Sequence, residues 1–153
     1  MTDRDLDNVD DARGPTASQA AGLTLASARR MIAAVEEAAR EMRVALSVAV
    51  VDSGDQLVAF ARMDAADLVS IVLARDKAFS ALVNRMPTRD LGPLVQPGAE
   101  FYGYDALAGG RMIVFAGGMP LERGGVLVGA VGVSGGTTDQ DQQAADAAVA
   151  AFD

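Results

Sequence analysis

From Thr24 onward, Leu25, Ala28, Ile32, Val35, Ala39 and Met42 recur at alternating spacings of three and four, the period of one helical face. Thr24 is placed to cap this helix, and Glu36 and Arg40, one turn apart, form a solvent-side pair. An amphipathic helix needs a surface to lie on. Val44 to Val51 (VALSVAVV) is rich in β-branched residues, Asp52-Ser53-Gly54-Asp55 is a turn cluster, and Gln56 to Met63 alternates like a strand, so a β-hairpin is predicted. A second helix is expected over Asp67 to Arg85, with Leu68, Val72, Phe79, Leu82 and Met86 near one face. It stops before Pro87 because the residue preceding proline avoids helical angles. Residues 87–110 hold too much Gly and Pro for regular structure, and loops of that length in compact domains are usually functional or partly helical.

Arg111 to Ala116 (RMIVFA), a turn at Gly117-Gly118-Met119-Pro120, Leu121 to Gly125 and Val126 to Val133 are expected to supply two antiparallel strands that close the sheet. A last helix begins near Thr138, where Thr138 and Asp141 resemble a capping box, and runs to Phe152. The order α, β, β, α, long loop, β, β, α uses hairpins instead of βαβ crossovers. It predicts an α+β domain with an antiparallel sheet of about four to five strands carrying helices. Residues 1–22 are aspartate-rich and poor in large apolar groups, which predicts a disordered acidic tail ahead of a single domain over residues 23–153.

Composition narrows the chemistry sharply. The 153 residues contain no histidine and no cysteine. Zinc sites of Cys and His, a Ser-His-Asp or Cys-His nucleophile, and a haem held by imidazole or thiolate are all excluded. A net charge of -8 opposes attraction to nucleic acid or an anionic membrane surface. No stretch is long and apolar enough to span a bilayer, and the Asp-rich start does not resemble a signal peptide, so a cytoplasmic location is expected.

Gly132-Val133-Ser134-Gly135-Gly136 matches a nucleophile elbow, but no histidine exists to take the seryl proton. What survives is a backbone anion site at a helix N-terminus, or an ordinary turn. Gly117 and Gly118 would allow close approach of a ligand or a neighbouring subunit. Lys77 is the only lysine beside twelve arginines; an ammonium can change its pKa on burial and act as base or nucleophile, or it can sit on a solvated helix face. Arg62 and Asp64 could bracket a polar ligand or pair with each other. Tyr102 and Tyr104 are the only phenols.

Taken together, VAVVDSGDQLVAFARMDAA, ARDKAFSA, the following MPT, FAGGMPL and VGAVGVSGGTTDQDQQAADAA resemble the haem-degrading-domain family, the GlcG-like or HbpS-like group related to the PduO C-terminal domain. The resemblance spans about residues 23–152. It implies a profilin-like fold, a homo-oligomer and haem as a possible cofactor, with Thr88 as a hydroxyl candidate. The small-residue faces of the Ala-rich first and last helices suggest an oligomer as well. The family usually has Gly where this chain has Ala65; if that position needs positive φ, the loop here must differ.

Two functions follow. One is a binder of haem or another planar or anionic small molecule, held by Arg62, Asp64, Lys77, Thr88, Gly117, Gly118, Met119, Ser134 and Gly135, with no metal site of its own. The other is a lyase or isomerase in which Lys77, Glu100, Tyr102 or Asp141 transfers protons. Without imidazole or thiolate, iron could be met by Tyr102, Tyr104, Met119, Lys77 or Thr88.

Overall fold

The computed structural model describes residues 22–152. The expected acidic tail, Gly22 apart, lies outside the described residues. Helix α1 (Leu25–Met42) starts where the capping signal put it. The Thr24 hydroxyl accepts from the Ser27 amide while the Ser27 hydroxyl accepts from the Thr24 amide. Its buried face is Ala28, Met31, Val35, Ala38 and Ala39, one position off the expected stripe at Met31, and Leu25 is exposed. The Glu36–Arg40 pair closes at 3.3 Å.

Strands β1 (Ser47–Asp52) and β2 (Leu57–Arg62) form the expected hairpin, whose turn is held by the Asp52 carboxylate accepting from the amides of Gly54 and Gln56. Helix α2 (Val69–Asn84) forms where expected, and of the expected face Leu82 is buried, but the rest of the buried face is shifted. Leu68 is 74% exposed and Val72 58%, whereas Ser70, Ala74, Lys77, Ala78 and Ala81 are buried. The reason is proximity. A Cβ added at Gly132, directly beneath, would collide with the backbone of Ala74 and Ala78, so the helix lies on the sheet there with only small side chains between.

The expected strand at Arg111 to Ala116 does not form. That segment runs along α2 instead, because the Ser80 hydroxyl donates to the Arg111 carbonyl and accepts from the Ile113 amide. The expected turn at Gly117–Pro120 is also corrected. Gly118, Met119 and Pro120 open strand β3 (Gly118–Arg123), paired with Gly132, Val131 and Ala130 of β4 (Val126–Ser134). The hairpin turn is Gly124-Gly125, both at positive φ as a two-residue connection requires. Within residues 87–110 the chain makes two four-residue segments, the helix α3 (Thr88–Leu91) and the turn α4 (Leu107–Gly110), left-handed at Ala108 and Gly109, joined by 3₁₀ turns. The last helix, α5 (Thr138–Ala150), is capped one residue earlier than expected, by Thr137 with Gln140. Thr137 keeps the extended backbone a cap needs. Asp141 is thereby released from capping.

The result is the expected α+β class: a four-stranded antiparallel sheet in the order β2-β1-β4-β3, with α1 and α5 on one face and α2 on the other. Val48, Val50, Leu121, Val131 and Val133 point to the α1/α5 side, and Val51 and Ala130 to the α2 side, the two-residue alternation of strands. The alanine faces of α1 and α5 are not free for a second subunit. Ala28, Ala39, Ala144, Ala145 and Ala148 close on one another and on the sheet within the chain. Among the described residues no helix is long and apolar enough to cross a membrane.

Candidate functional site

Lys77 leaves α2, passes the start of β3 and ends at the first turn of α5. Its Nζ donates to Asp141 Oδ2 at 2.6 Å and to the Val133 carbonyl at 2.9 Å, and lies 5.0 Å from the centre of the Phe115 ring. Lys77 is 0% exposed and Asp141 3%. The other carboxylate oxygen of Asp141 accepts from the Gly136 amide at 2.9 Å. Burial pushes the Lys77 ammonium below its ordinary 10.5, opposed by the hydrogen bond and charge of Asp141. Burial likewise pushes Asp141 above 3.8, opposed by Lys77 and by the Gly136 N–H. The solvated-face reading of Lys77 is thus replaced by a sealed ion pair.

The glycines make room for it. At Gly117, with φ +114, a Cβ would land 2.5 Å from the Val133 carbonyl and 2.9 Å from Lys77 Nζ; at Gly118 it would strike the Lys77 carbonyl. Their amides are engaged internally, Gly117 with Gln142 Oε1 at 3.3 Å and Gly118 with Thr88 Oγ1 at 2.9 Å. Thr88 is fully buried, and Met119 Sδ accepts from Gln142 at 3.2 Å. Ser134 is buried and Gly135 takes φ +127 as the chain turns toward α5. Lys77, Thr88, Gly117, Gly118, Met119 and Asp141 therefore form one connected cluster around the notch.

The remaining expected residues stand apart. Arg62 and Asp64 are exposed and form no ion pair with each other. Ala65, two residues after Arg62-Met63, takes φ +68. Alanine itself thus adopts the left-handed backbone here. Glu100 and Tyr102 are exposed, and no hydrogen bond, ion pair or ring contact among the described residues joins them to Lys77 or Asp141. Of the four proton-transfer candidates the structure brings Lys77 and Asp141 together and leaves Glu100 and Tyr102 apart. Three contributors went unseen in the sequence. Gln142 and Phe115 complete the notch, and Arg111 ties Asp76 at 2.9 Å and Asp55 at 3.2 Å while covering the Phe79 ring at 3.9 Å.

A second feature lies at the far end of α2. Asn84, Met86, Leu91, Leu94, Val95, Phe101 and Tyr104 line a pocket of about 140 Å³, and Tyr104 donates its hydroxyl to Asn84 Oδ1 at 2.6 Å. Phe101 and Tyr102 beside it are exposed.

Residues 23–150 match the family model described as haem degrading protein HbpS-like. A 15.0 kDa protein of the dhaT-dhaS intergenic region of Citrobacter freundii is 40% identical over 134 residues, 88% of this chain and 94% of that one. The corrinoid adenosyltransferase PduO of Salmonella typhimurium is 40% identical over 120 residues, 78% of this chain but only 35% of PduO. The crystal structure of a PduOC:haem complex superposes with a TM-score of 0.83 at 36% identity, covering 85% of this chain and 94% of that one.

Proposed function

The chain belongs to the HbpS-like family of haem degrading proteins, and on that premise we propose that it is a small-ligand-binding protein whose ligand is haem or a comparably planar molecule. The observation that carries this reading is the likeness to a relative crystallised with haem. The donor set decides how such a ligand would be met. Lys77 is spent on Asp141, Thr88 on Gly118, Met119 on Gln142 and Tyr104 on Asn84. Tyr102, 69% exposed in the apolar segment with Leu94, Phe101 and Leu107, is the candidate oxygen donor left open. A porphyrin is far larger than the 140 Å³ pocket, so it would lie on the open side of this segment. Apolar contact would hold it, with one phenolate at the iron. When bound, haem would supply a redox-active iron centre.

Haemin titration followed at the Soret band tests this. A saturable shift in the micromolar range, about -8 kcal/mol, with a high-spin ferric spectrum is expected, weakened at least tenfold in Tyr102→Phe. No saturable shift at tens of micromolar haemin overturns it. The same reading includes a homo-oligomer. The outward side of α2 leaves Leu68, Val69, Val72 and Val83 uncovered, an apolar face that a second chain would bury. Light scattering at micromolar concentration that returns a single-chain mass of 15.7 kDa refutes it.

A further inference from the structure

The pocket at the end of α2 has a size and a polarity that together specify a ligand. Arg85 ends α2 in a left-handed conformation and Pro87 turns the chain away. The chain then curls back so that the Phe101 amide donates to the Leu94 carbonyl, and Phe101 packs against Tyr104 with ring centres 6.0 Å apart. Met86, Leu91, Leu94, Val95 and Phe101 wall the space, which is partly open to solvent where Leu94 and Phe101 are exposed, with no charged side chain in the lining. Its volume, about 140 Å³, is close to that of an engineered apolar cavity of about 150 Å³ that takes up benzene. A charged molecule would lose its hydration there without a counter-ion.

The one polar corner has a fixed sense. Asn84 Nδ2 donates to the Ser80 carbonyl at 2.8 Å and to Met112 Sδ at 3.1 Å, which leaves Asn84 Oδ1 as the acceptor facing Tyr104. The Tyr104 hydroxyl must therefore spend its only proton on Asn84, at 2.6 Å. What Tyr104 has left to offer is an acceptor lone pair, with no proton to donate. We propose that this pocket is a binding site for a neutral, benzene-sized molecule carrying one O–H or N–H donor, a phenol or a short alcohol, which donates to Tyr104 Oη. The site requires no iron and does not depend on the haem reading.

Titration of the full chain with phenol, toluene and benzoate, by calorimetry and ligand-observed NMR, tests the proposal. Phenol should saturate at millimolar concentration or below and bind about three- to tenfold better than toluene, the range for one hydrogen bond made or lost. Benzoate should not bind. Tyr104→Phe should erase the preference for phenol while keeping toluene binding. Val95→Phe, which fills the cavity, should abolish both, and Leu94→Trp serves from the rim if the first variant does not fold. Tyr102→Phe should leave phenol binding unchanged while weakening haemin, which separates the two readings. Equal affinity for phenol and toluene in the parent, no saturable phenol binding, or undiminished phenol binding in a folded cavity-filled variant overturns it.

Discussion

Replacing Lys77 by methionine removes the ammonium while keeping an unbranched chain of similar length. Asp141 is then left, 3% exposed, with the Gly136 amide as its remaining donor, and the Val133 carbonyl loses the Lys77 proton. Removing one member of a buried pair costs about 3–5 kcal/mol, because the surviving charge stays out of water without compensation. With a urea dependence near 2 kcal/mol per molar, the unfolding midpoint should fall by about 2 M. The second half of the test is the double variant Lys77→Met/Asp141→Asn. A neutral amide at 141 can still accept from Gly136 and can donate toward Val133, so most of the loss should return. Equilibrium urea unfolding followed by far-UV circular dichroism at pH 7 reads both. A loss below about 1 kcal/mol in the single variant, or a double variant as unstable as the single, would refute the reasoning.

The pair should also shape the pH profile. Burial raises Asp141, so its contribution is greatest at low pH and is lost as pH rises from 3.8 through the raised value; burial lowers Lys77, whose contribution is lost as pH falls from 10.5 through the lowered value. The shortfall of the double variant against the parent should therefore be smallest in the mid-range and widen toward either end, and urea melts showing the opposite curvature would contradict this. Ala65→Gly should relieve the left-handed backbone at φ +68 and stabilise by about 0.5–1 kcal/mol, read as a melting temperature raised by a few degrees; a decrease would mean the loop gains from the methyl group. Gly118→Ala should drive a Cβ into the Lys77 carbonyl and Thr88, costing about 2–3 kcal/mol, and thermal unfolding unchanged from the parent would show that the notch can widen.

How far the sequence announced all this varies with the range of the interaction. The cap at Thr24, the β1–β2 hairpin and the end of α2 before Pro87 are local, and each was legible within a few residues. The face of α2 was not. Its bulky residues kept the helical period, but the depth of burial was decided by Gly132, a residue far along the chain that admits only small neighbours. Lys77 stood out by being the only lysine, yet its partner is 64 positions away. No spacing rule links a helix interior to the first turn of another helix. Asp141 was singled out both as a capping residue and as a proton-transfer candidate, and the capping reading failed because only the backbone angles reveal that Thr137 takes that role. The family resemblance, carried by the same segments, was legible in full.

Pro120 lies inside β3, one of the two outer strands of the sheet, and the β3–β4 register shifts between Leu121 and Glu122. Proline brings no N–H, and an irregular ladder bends a strand away from flat pairing. The residues that made Gly117–Pro120 look like a turn thus blunt an outer edge that would otherwise offer a template for another chain's strand. A second chain would find no regular strand ladder to extend at this edge. An apolar, alanine-rich, weakly aromatic chain thereby has one fewer route into cross-β aggregates.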